Sequence, residues 1–137
     1  MWIFYALLSA FFASLTAILA KIGIKNVDSN LATAVRTVVV TVLAWGVVWA
    51  RPPVAGLAAL TPTNWTYLIL SGVATGLSWL CYFKALQLGN VSQVAPVDKL
   101  SLALTIALSV VFLGEALTWK LALGAALIVA GTLVLIL

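Results

Sequence analysis

The sequence contains few charged residues, no histidine and a single cysteine, Cys81. Charged side chains make up 7% of its 137 residues, whereas a soluble domain usually carries about 25%. Hydrophobic side chains make up 65%, and the mean hydropathy is +1.25. The chain has too few polar side chains to cover the surface of a water-soluble protein. The composition therefore predicts an integral membrane protein. No segment is polar enough for a separate soluble domain, so we expect one membrane-embedded domain over residues 1–137.

The missing residue types also argue against catalysis and metal binding. Without histidine, the chain lacks the commonest metal ligand and the usual general base. One cysteine cannot form a disulfide within the chain, and no residue spacing is typical of a metal site. We therefore expect no enzyme activity, no metal and no cofactor.

The basic character of the chain has a simple membrane explanation. Its net charge is +4, but the seven basic residues occur singly between apolar runs, without a basic patch or arm. Such spacing is typical of contacts with lipid headgroups and of signals for membrane orientation. We therefore expect no nucleic-acid partner.

Five apolar runs are long enough to cross a membrane as helices, which requires about 20 residues each. We predict an all-α fold with helices at about 2–24, 31–50, 62–88, 94–113 and 119–137. The short connections favour antiparallel packing of successive helices in a bundle. Capping and turn residues mark the ends of the runs: Ser29 or Asn30, residues 51–53, Thr61, Gly114 and Thr118.

The basic residues specify the orientation of the chain only weakly. Five of them belong to the side of the first and third loops, and Arg51 and Lys120 belong to the opposite side. Four of those five lie within the helical runs, where they could face an internal cavity instead of a loop. Without these four, one side has one basic residue and the other side has two. A chain with so little bias can insert both ways up. The location expected from these features is the cell (cytoplasmic) membrane, as a multi-pass protein.

Polar side chains follow one face of the third and fourth predicted helices. Two interpretations are open, because such residues can join helices or can line a water-filled cavity. The presence of an acid, a tyrosine and a tryptophan beside the hydroxyls favours a substrate pathway. The predicted pathway residues are Ser71, Thr75, Ser78, Trp79, Tyr82, Asp98, Ser101 and Thr105.

Four charged residues within the helical runs could supply charge or coupling: Lys21, Arg36, Asp98 and Lys99. Lys21 is close enough to a helix end to reach the headgroups, whereas Arg36 lies deeper than that explains. Asp98 could cap its helix or pair with Lys99, or the two could form the charged mouth of a pathway. An excess of basic groups in such a pathway would favour an anionic or zwitterionic solute.

Three stretches resemble the EamA-type drug/metabolite transporter superfamily. They are FFASLTAILAKIGIKNVDSNLATAVR, GLSWLCYFKALQLGNVSQVAPVDKLS and LGEALTWKLALGAALIVAG, which together cover much of the chain. The third stretch is the most specific, with a Leu-Gly-Glu motif and a glycine-spaced ending. In length the chain is similar to the five-helix, single-repeat members of bacteria and archaea.

The resemblance implies a transporter of small organic solutes that works by alternating access. Larger members are similar to two copies of this unit fused in opposite orientations. A lone unit would therefore form an antiparallel, dual-topology homodimer, one half of a ten-helix inverted-repeat assembly. Aromatic residues of the third helix line the pathway in relatives, which supports Trp79 and Tyr82. The first helix lacks the glutamate that couples protons in four-helix relatives, so Asp98 is the acid left for coupling.

Two other functions stay open. One is a flippase for a lipid-linked sugar, which also occurs in this superfamily and requires an opening towards lipid. The other is a non-transporting membrane subunit of a larger complex, in which the polar faces only pack helices.

The weak charge bias predicts mixed insertion. We expect a topology reporter fused to the C-terminus to be detected on both sides of the membrane, because neither side carries a clear excess of basic residues. As a control, the variant Ala116→Lys/Leu117→Lys adds two positive charges to one loop and should orient the chain predominantly one way. Detection of the unmodified fusion on one side only would contradict dual topology.

Overall fold

A computed structural model describes residues 1–50 and 54–137 of the chain. Within these residues all regular structure is helical. The predicted helix stop at residues 51–53 lies outside the described residues. The elements are α1 (Trp2–Gly23), α2 (Ser29–Ala50), a 3₁₀ helix (Val54–Ala59), α3 (Pro62–Leu88), α4 (Val91–Asp98), α5 (Leu100–Leu113) and α6 (Trp119–Ile136).

Five helical segments of the described chain are long and apolar enough to cross a membrane, as predicted. Helices α1, α2, α3 and α6 each form one span, and α4 with α5 together form the span Val91–Leu113. The shortest, Trp119–Ile136, has 18 residues and therefore a length of about 27 Å. Most apolar side chains are exposed on the isolated chain, so these surfaces are suited to contact with acyl chains or with another protein in the membrane.

Capping side chains begin three of the spans. The Thr61 hydroxyl accepts the N–H of Asn64 (3.2 Å), and the Thr118 hydroxyl accepts the N–H of Leu121 (3.3 Å). Both caps confirm the prediction. The predicted cap of α2 at Ser29 or Asn30 was wrong, because the carboxylate of Asp28 fills this role. It accepts the N–H groups of Asn30 (2.9 Å) and Leu31 (3.0 Å), and α2 consequently begins at Ser29.

The fourth span differs from the continuous helix predicted from about residue 94. It begins at Val91 and is interrupted at Lys99. Pro96 lies inside α4 and has no N–H to donate to the preceding turn. Three residues later, the Lys99 N–H is shared between the carbonyls of Ala95 (3.3 Å) and Pro96 (3.0 Å). This tighter turn separates α4 from α5.

Gly114 ends α5, as predicted. Its φ of 67° and ψ of 23° lie in the left-handed region, which glycine adopts without steric cost. The next residue, Glu115, donates its N–H to the carbonyl of Ser109 (3.3 Å), which closes the helix end.

The described chain separates into two compact units, and the prediction of a single domain stays a prediction. One unit comprises Met1–Ile18 and Leu88–Leu137. In it, α6 packs against α4 and α5. The Thr132 side chain, only 4% exposed, shares its hydroxyl hydrogen between Pro96 O (3.3 Å) and Ile128 O (2.9 Å). This contact connects the far end of α6 to the interrupted span.

The other unit comprises Leu19–Gln87. Two hydrogen bonds connect the C-terminal end of α3 to α1 and to the loop that follows it. Lys21 Nζ donates to the carbonyl of Leu86, and Gln87 Nε2 donates to the carbonyl of Val27 (2.9 Å). The buried side chains of this unit include Ile24, Ser29, Thr33, Phe83 and Leu86.

The bond between α6 and α4 generates a stability prediction. Thr132→Val keeps the shape of the side chain but removes the hydroxyl, so we expect the free energy of unfolding to fall by about 0.6 to 1.7 kcal/mol. The measurement is a denaturant titration of the purified protein in detergent. Thr66→Val is the matched control, because Thr66 bonds only back to Pro62 of its own helix (3.0 Å) on an exposed face. Equal losses in both variants would contradict a stabilising role for the bond to Pro96.

Candidate functional site

Arg36 contacts two aromatic rings of α3. Its Cζ atom lies 4.2 Å from the centroid of the Trp79 ring and 5.4 Å from that of Phe83. Arg36 is seven residues beyond the start of α2 at Ser29, and is therefore about 10 Å along the helix. The contact lies within a membrane span, too far from its start for the charge to be explained by headgroup contact.

The spacing of the aromatic residues on α3 explains how they contact one cation. Trp79 and Phe83 are four residues apart, so their side chains lie on the same face of the helix. Phe83 is 2% exposed, and its ring meets that of Tyr82 edge to face with centroids 6.4 Å apart. The cluster of Arg36, Trp79, Tyr82 and Phe83 is called the arginine–aromatic cluster below.

The guanidinium of Arg36 has aromatic neighbours instead of an acid. Among residues 1–50 and 54–137, no carboxylate lies within 4 Å of it and no acceptor forms a hydrogen bond with it. A charge in the middle of a span costs about 2.5 to 3.5 kcal/mol on insertion scales. Cation–π contact offsets about 0.5 to 2 kcal/mol of such a cost. Further stabilisation can come from water, from a bound anion or from an acid of a neighbouring chain.

Asp98 and Lys99 form an ion pair at the break between α4 and α5. Lys99 Nζ lies 3.1 Å from Asp98 Oδ2, and the two side chains are 53% and 34% exposed, respectively. Because α4 begins at Val91, Asp98 lies about 10 Å into the span, deeper than the first turns expected from the sequence. The pair has no net charge, which lowers the cost of holding both groups at this depth.

The hydroxyl residues of the predicted pathway lie on exposed surfaces of their own units. Thr75 donates to the carbonyl of Ser71 (2.9 Å) on α3, and Thr105 donates to the carbonyl of Ser101 (2.8 Å) on α5. In both bonds the hydroxyl donates to the backbone carbonyl four residues earlier, so its hydrogen has an acceptor within its own helix. Their oxygen atoms can still accept hydrogen bonds. The exposed pathway residues are Ser71, Thr75 and Ser78 on α3, and Ser101 and Thr105 on α5.

The structure brings only part of the predicted site together. Arg36 and Trp79 meet in one unit, where Tyr82 contacts Phe83, and Asp98 and Lys99 pair in the other. Lys21 lies near the loop after α1, where its ammonium group contacts the C-terminal end of α3. Phe83 is not among the predicted site residues, although its position one turn after Trp79 is a signal that could have identified it. Among the described residues, no group of three or more cysteine or acidic side chains could hold a metal ion.

The whole chain, residues 1–137, matches the EamA-like transporter family. The chain belongs to this family. A relative from Sinorhizobium sp., named an uncharacterized transporter in the cobO 3' region, is 46% identical over 98% of this chain and 95% of its own length. The uncharacterized protein MJ1333.1 of Methanocaldococcus jannaschii is 39% identical over 51% of each chain. No solved structure matches the chain.

Family membership confirms the resemblance identified from the three sequence stretches. Together with the five candidate spans, it shows that this EamA-family chain is a multi-pass membrane protein of the transporter class. The arginine–aromatic cluster and the Asp98–Lys99 pair are therefore intramembrane polar features of a transporter.

The ion pair generates a prediction about coupling between its two charges. Asp98→Asn and Lys99→Gln each leave one charge without its partner, so each should destabilise the protein. The double variant should lose less than the sum of the two, with a coupling free energy of about 0.5 to 1 kcal/mol. The measurement is a double-mutant cycle of unfolding free energies in detergent. Additive effects would show that the pair contributes no interaction energy.

Proposed function

We propose that this EamA-family protein moves small organic anions or zwitterions across the cytoplasmic membrane by alternating access, as an antiparallel homodimer. The family match, and a relative that is named a transporter, support membrane transport. The observation that carries the choice of solute is the arginine–aromatic cluster. It holds a permanent cation inside a span, and the described residues offer that cation no acid.

Arginine is suited to recognise an anionic solute at this position. Its planar guanidinium can form two parallel hydrogen bonds to a carboxylate or a phosphate, and it stays charged even when it is partly buried. Aromatic contact holds the group in place but provides no acceptor oxygen for its N–H donors. A carboxylate or phosphate of the solute would supply both the missing charge and the missing acceptors.

The proposed antiparallel pair follows from the size and charge pattern of the chain. A chain of five spans has its termini on opposite sides of the membrane, so two copies in opposite orientations form an inverted repeat. In such repeats the substrate site lies near the midplane, and the two halves alternate in opening to each side. The exposed hydroxyl faces of α3 and α5 would contribute surface to the pathway of the assembled dimer.

Asp98 is the candidate for coupling transport to protons in this proposal. It is the one acid inside a span, since Asp28 caps α2 and Glu115 follows the end of α5. Asp98 forms an ion pair with Lys99. A proton bound to the Asp98 carboxylate would remove its charge and release Lys99 from the pair.

Transport by purified protein in liposomes tests the choice of solute. The probes are radiolabelled monocarboxylates, amino acids and organic phosphates, with amines and neutral sugars for comparison. We expect uptake of one or more anionic or zwitterionic probes, and Arg36→Gln should reduce that uptake about tenfold or more. The reason is the loss of a charged hydrogen bond. Arg36→Lys should retain part of the activity, because it keeps the charge but loses the planar geometry.

Lys120→Gln is the matched control for these variants. It makes the same change in charge in the first turn of α6, far along the chain from the arginine–aromatic cluster. Equal uptake by wild type and Arg36→Gln, or uptake restricted to cationic probes, would contradict the proposal. A correctly folded protein that moves none of the probes would favour the non-transporting subunit or the lipid-linked sugar flippase.

A further inference from the structure

An open depression of about 740 Å³ lies beside the loop that joins α1 to α2. It belongs to the unit Leu19–Gln87. Its volume falls in the range of small-molecule sites, about 300 to 1,000 Å³. The lining residues are Lys21, Ile22, Ile24, Lys25, Asn26 and Gln87. We propose that this depression binds a phosphate group, provided either by the headgroup of an anionic phospholipid or by a soluble phosphate.

The charge of the lining favours an anion. Two lysines, Lys21 and Lys25, are among the lining residues of the depression, and no acid is among them. The nearest acid in the sequence is Asp28, whose carboxylate already accepts two N–H groups at the start of α2. The lining residues therefore carry a net positive charge, which a phosphate would neutralise.

The polar rim of the depression is held in position by contacts within the unit. Lys21 Nζ donates to the carbonyl of Leu86, which fixes one ammonium group. The side-chain amide of Gln87 donates to Val27 O (2.9 Å) and accepts from Lys84 Nζ (3.3 Å). The Gln87 side chain, which also lines the depression, is therefore held in place as well. A rim that is ordered in advance loses less entropy when it binds a ligand.

The backbone of the loop and its apolar residues complete the shape. Asn26 has a φ of 63°, a left-handed conformation that asparagine tolerates better than most residues. It reverses the chain between α1 and α2 and lets Lys25 and Asn26 border the same depression as Lys21. Ile22 and Ile24 are also among the lining residues, so the lining offers charge and apolar surface together. This combination matches a phospholipid headgroup with the start of its acyl chains.

Thermal unfolding in detergent tests the proposal and separates the two sources of phosphate. In one arm, phosphatidylglycerol or, for comparison, phosphatidylcholine is titrated into the micelles; in the other, inorganic phosphate replaces chloride at equal ionic strength. We expect phosphatidylglycerol to raise the unfolding temperature of the wild type more than phosphatidylcholine does. A rise with inorganic phosphate alone identifies a site for soluble phosphate, and a rise with phosphatidylglycerol alone identifies a lipid site. Both results support phosphate binding.

Variants at Lys25 locate the effect. Lys25→Gln should weaken the apparent affinity for the effective phosphate source about fivefold, because one cation near the surface is lost. Lys25→Arg should retain it. Lys120→Gln, which removes a lysine at the start of another span, should bind as the wild type does. We choose Lys25 because Lys21 also holds α1 to α3, so its replacement would perturb the fold.

Three outcomes would overturn the proposal. They are the absence of any rise with either phosphate source, an equal effect of Lys25→Gln and Lys120→Gln, and full affinity in Lys25→Gln. Should Lys25→Gln fail to fold, Lys25→Arg and the wild-type titration still decide whether a phosphate group binds. The readout is unfolding temperature rather than transport, so its result is independent of the proposed solute specificity.

Discussion

Inside a bilayer, a charge or an unpaired hydrogen-bonding group has no water to stabilise it, and this constraint accounts for the polar contacts of the chain. Several polar side chains in the spans meet this constraint, and they do so in different ways. Arg36 lies against aromatic rings, Asp98 and Lys99 neutralise each other, and Lys21 donates to a carbonyl at a helix end. Thr75 of α3 and Thr105 of α5 donate to carbonyls of their own helices. The apolar surface of the spans needs no such compensation.

These contacts differ in how much charge and hydrogen-bonding capacity they leave for a ligand. The charges of Asp98 and Lys99 neutralise each other, so an added anion or cation would have to compete with an existing partner. The aromatic contacts of Arg36 stabilise its charge but leave its hydrogen-bonding capacity unmet by the described residues. A transporter has to stabilise its solute in the membrane without holding it permanently. A cation held by rings is suited to this, because solute and solvent can exchange on the same donors.

Much of the fold could be predicted from the sequence, because membrane spans are marked by composition and by turn residues. The five spans, the caps at Thr61 and Thr118 and the stop at Gly114 are all local signals. The interruption at Lys99 was not predicted because a helix that starts near residue 94 has Pro96 in its first turn, where proline is tolerated. The helix begins at Val91 instead, so Pro96 lies inside it. The spacing of Trp79 and Phe83, one helical turn apart, is visible in the sequence, but only the folded chain shows that both rings contact Arg36.

By itself, the sequence determined that this chain lies in a membrane, how many times it can cross, which family it belongs to and which ionisable groups enter the spans. The tertiary structure decided which of those groups meet, as with Arg36 and Trp79, or Thr132 and Pro96. The physical reason is that lipid is as apolar as the interior of a helix bundle. Hydrophobic periodicity therefore does not distinguish a face towards lipid from a face towards protein. Close packing and hydrogen bonds between helices make that distinction, and they exist only in the folded chain.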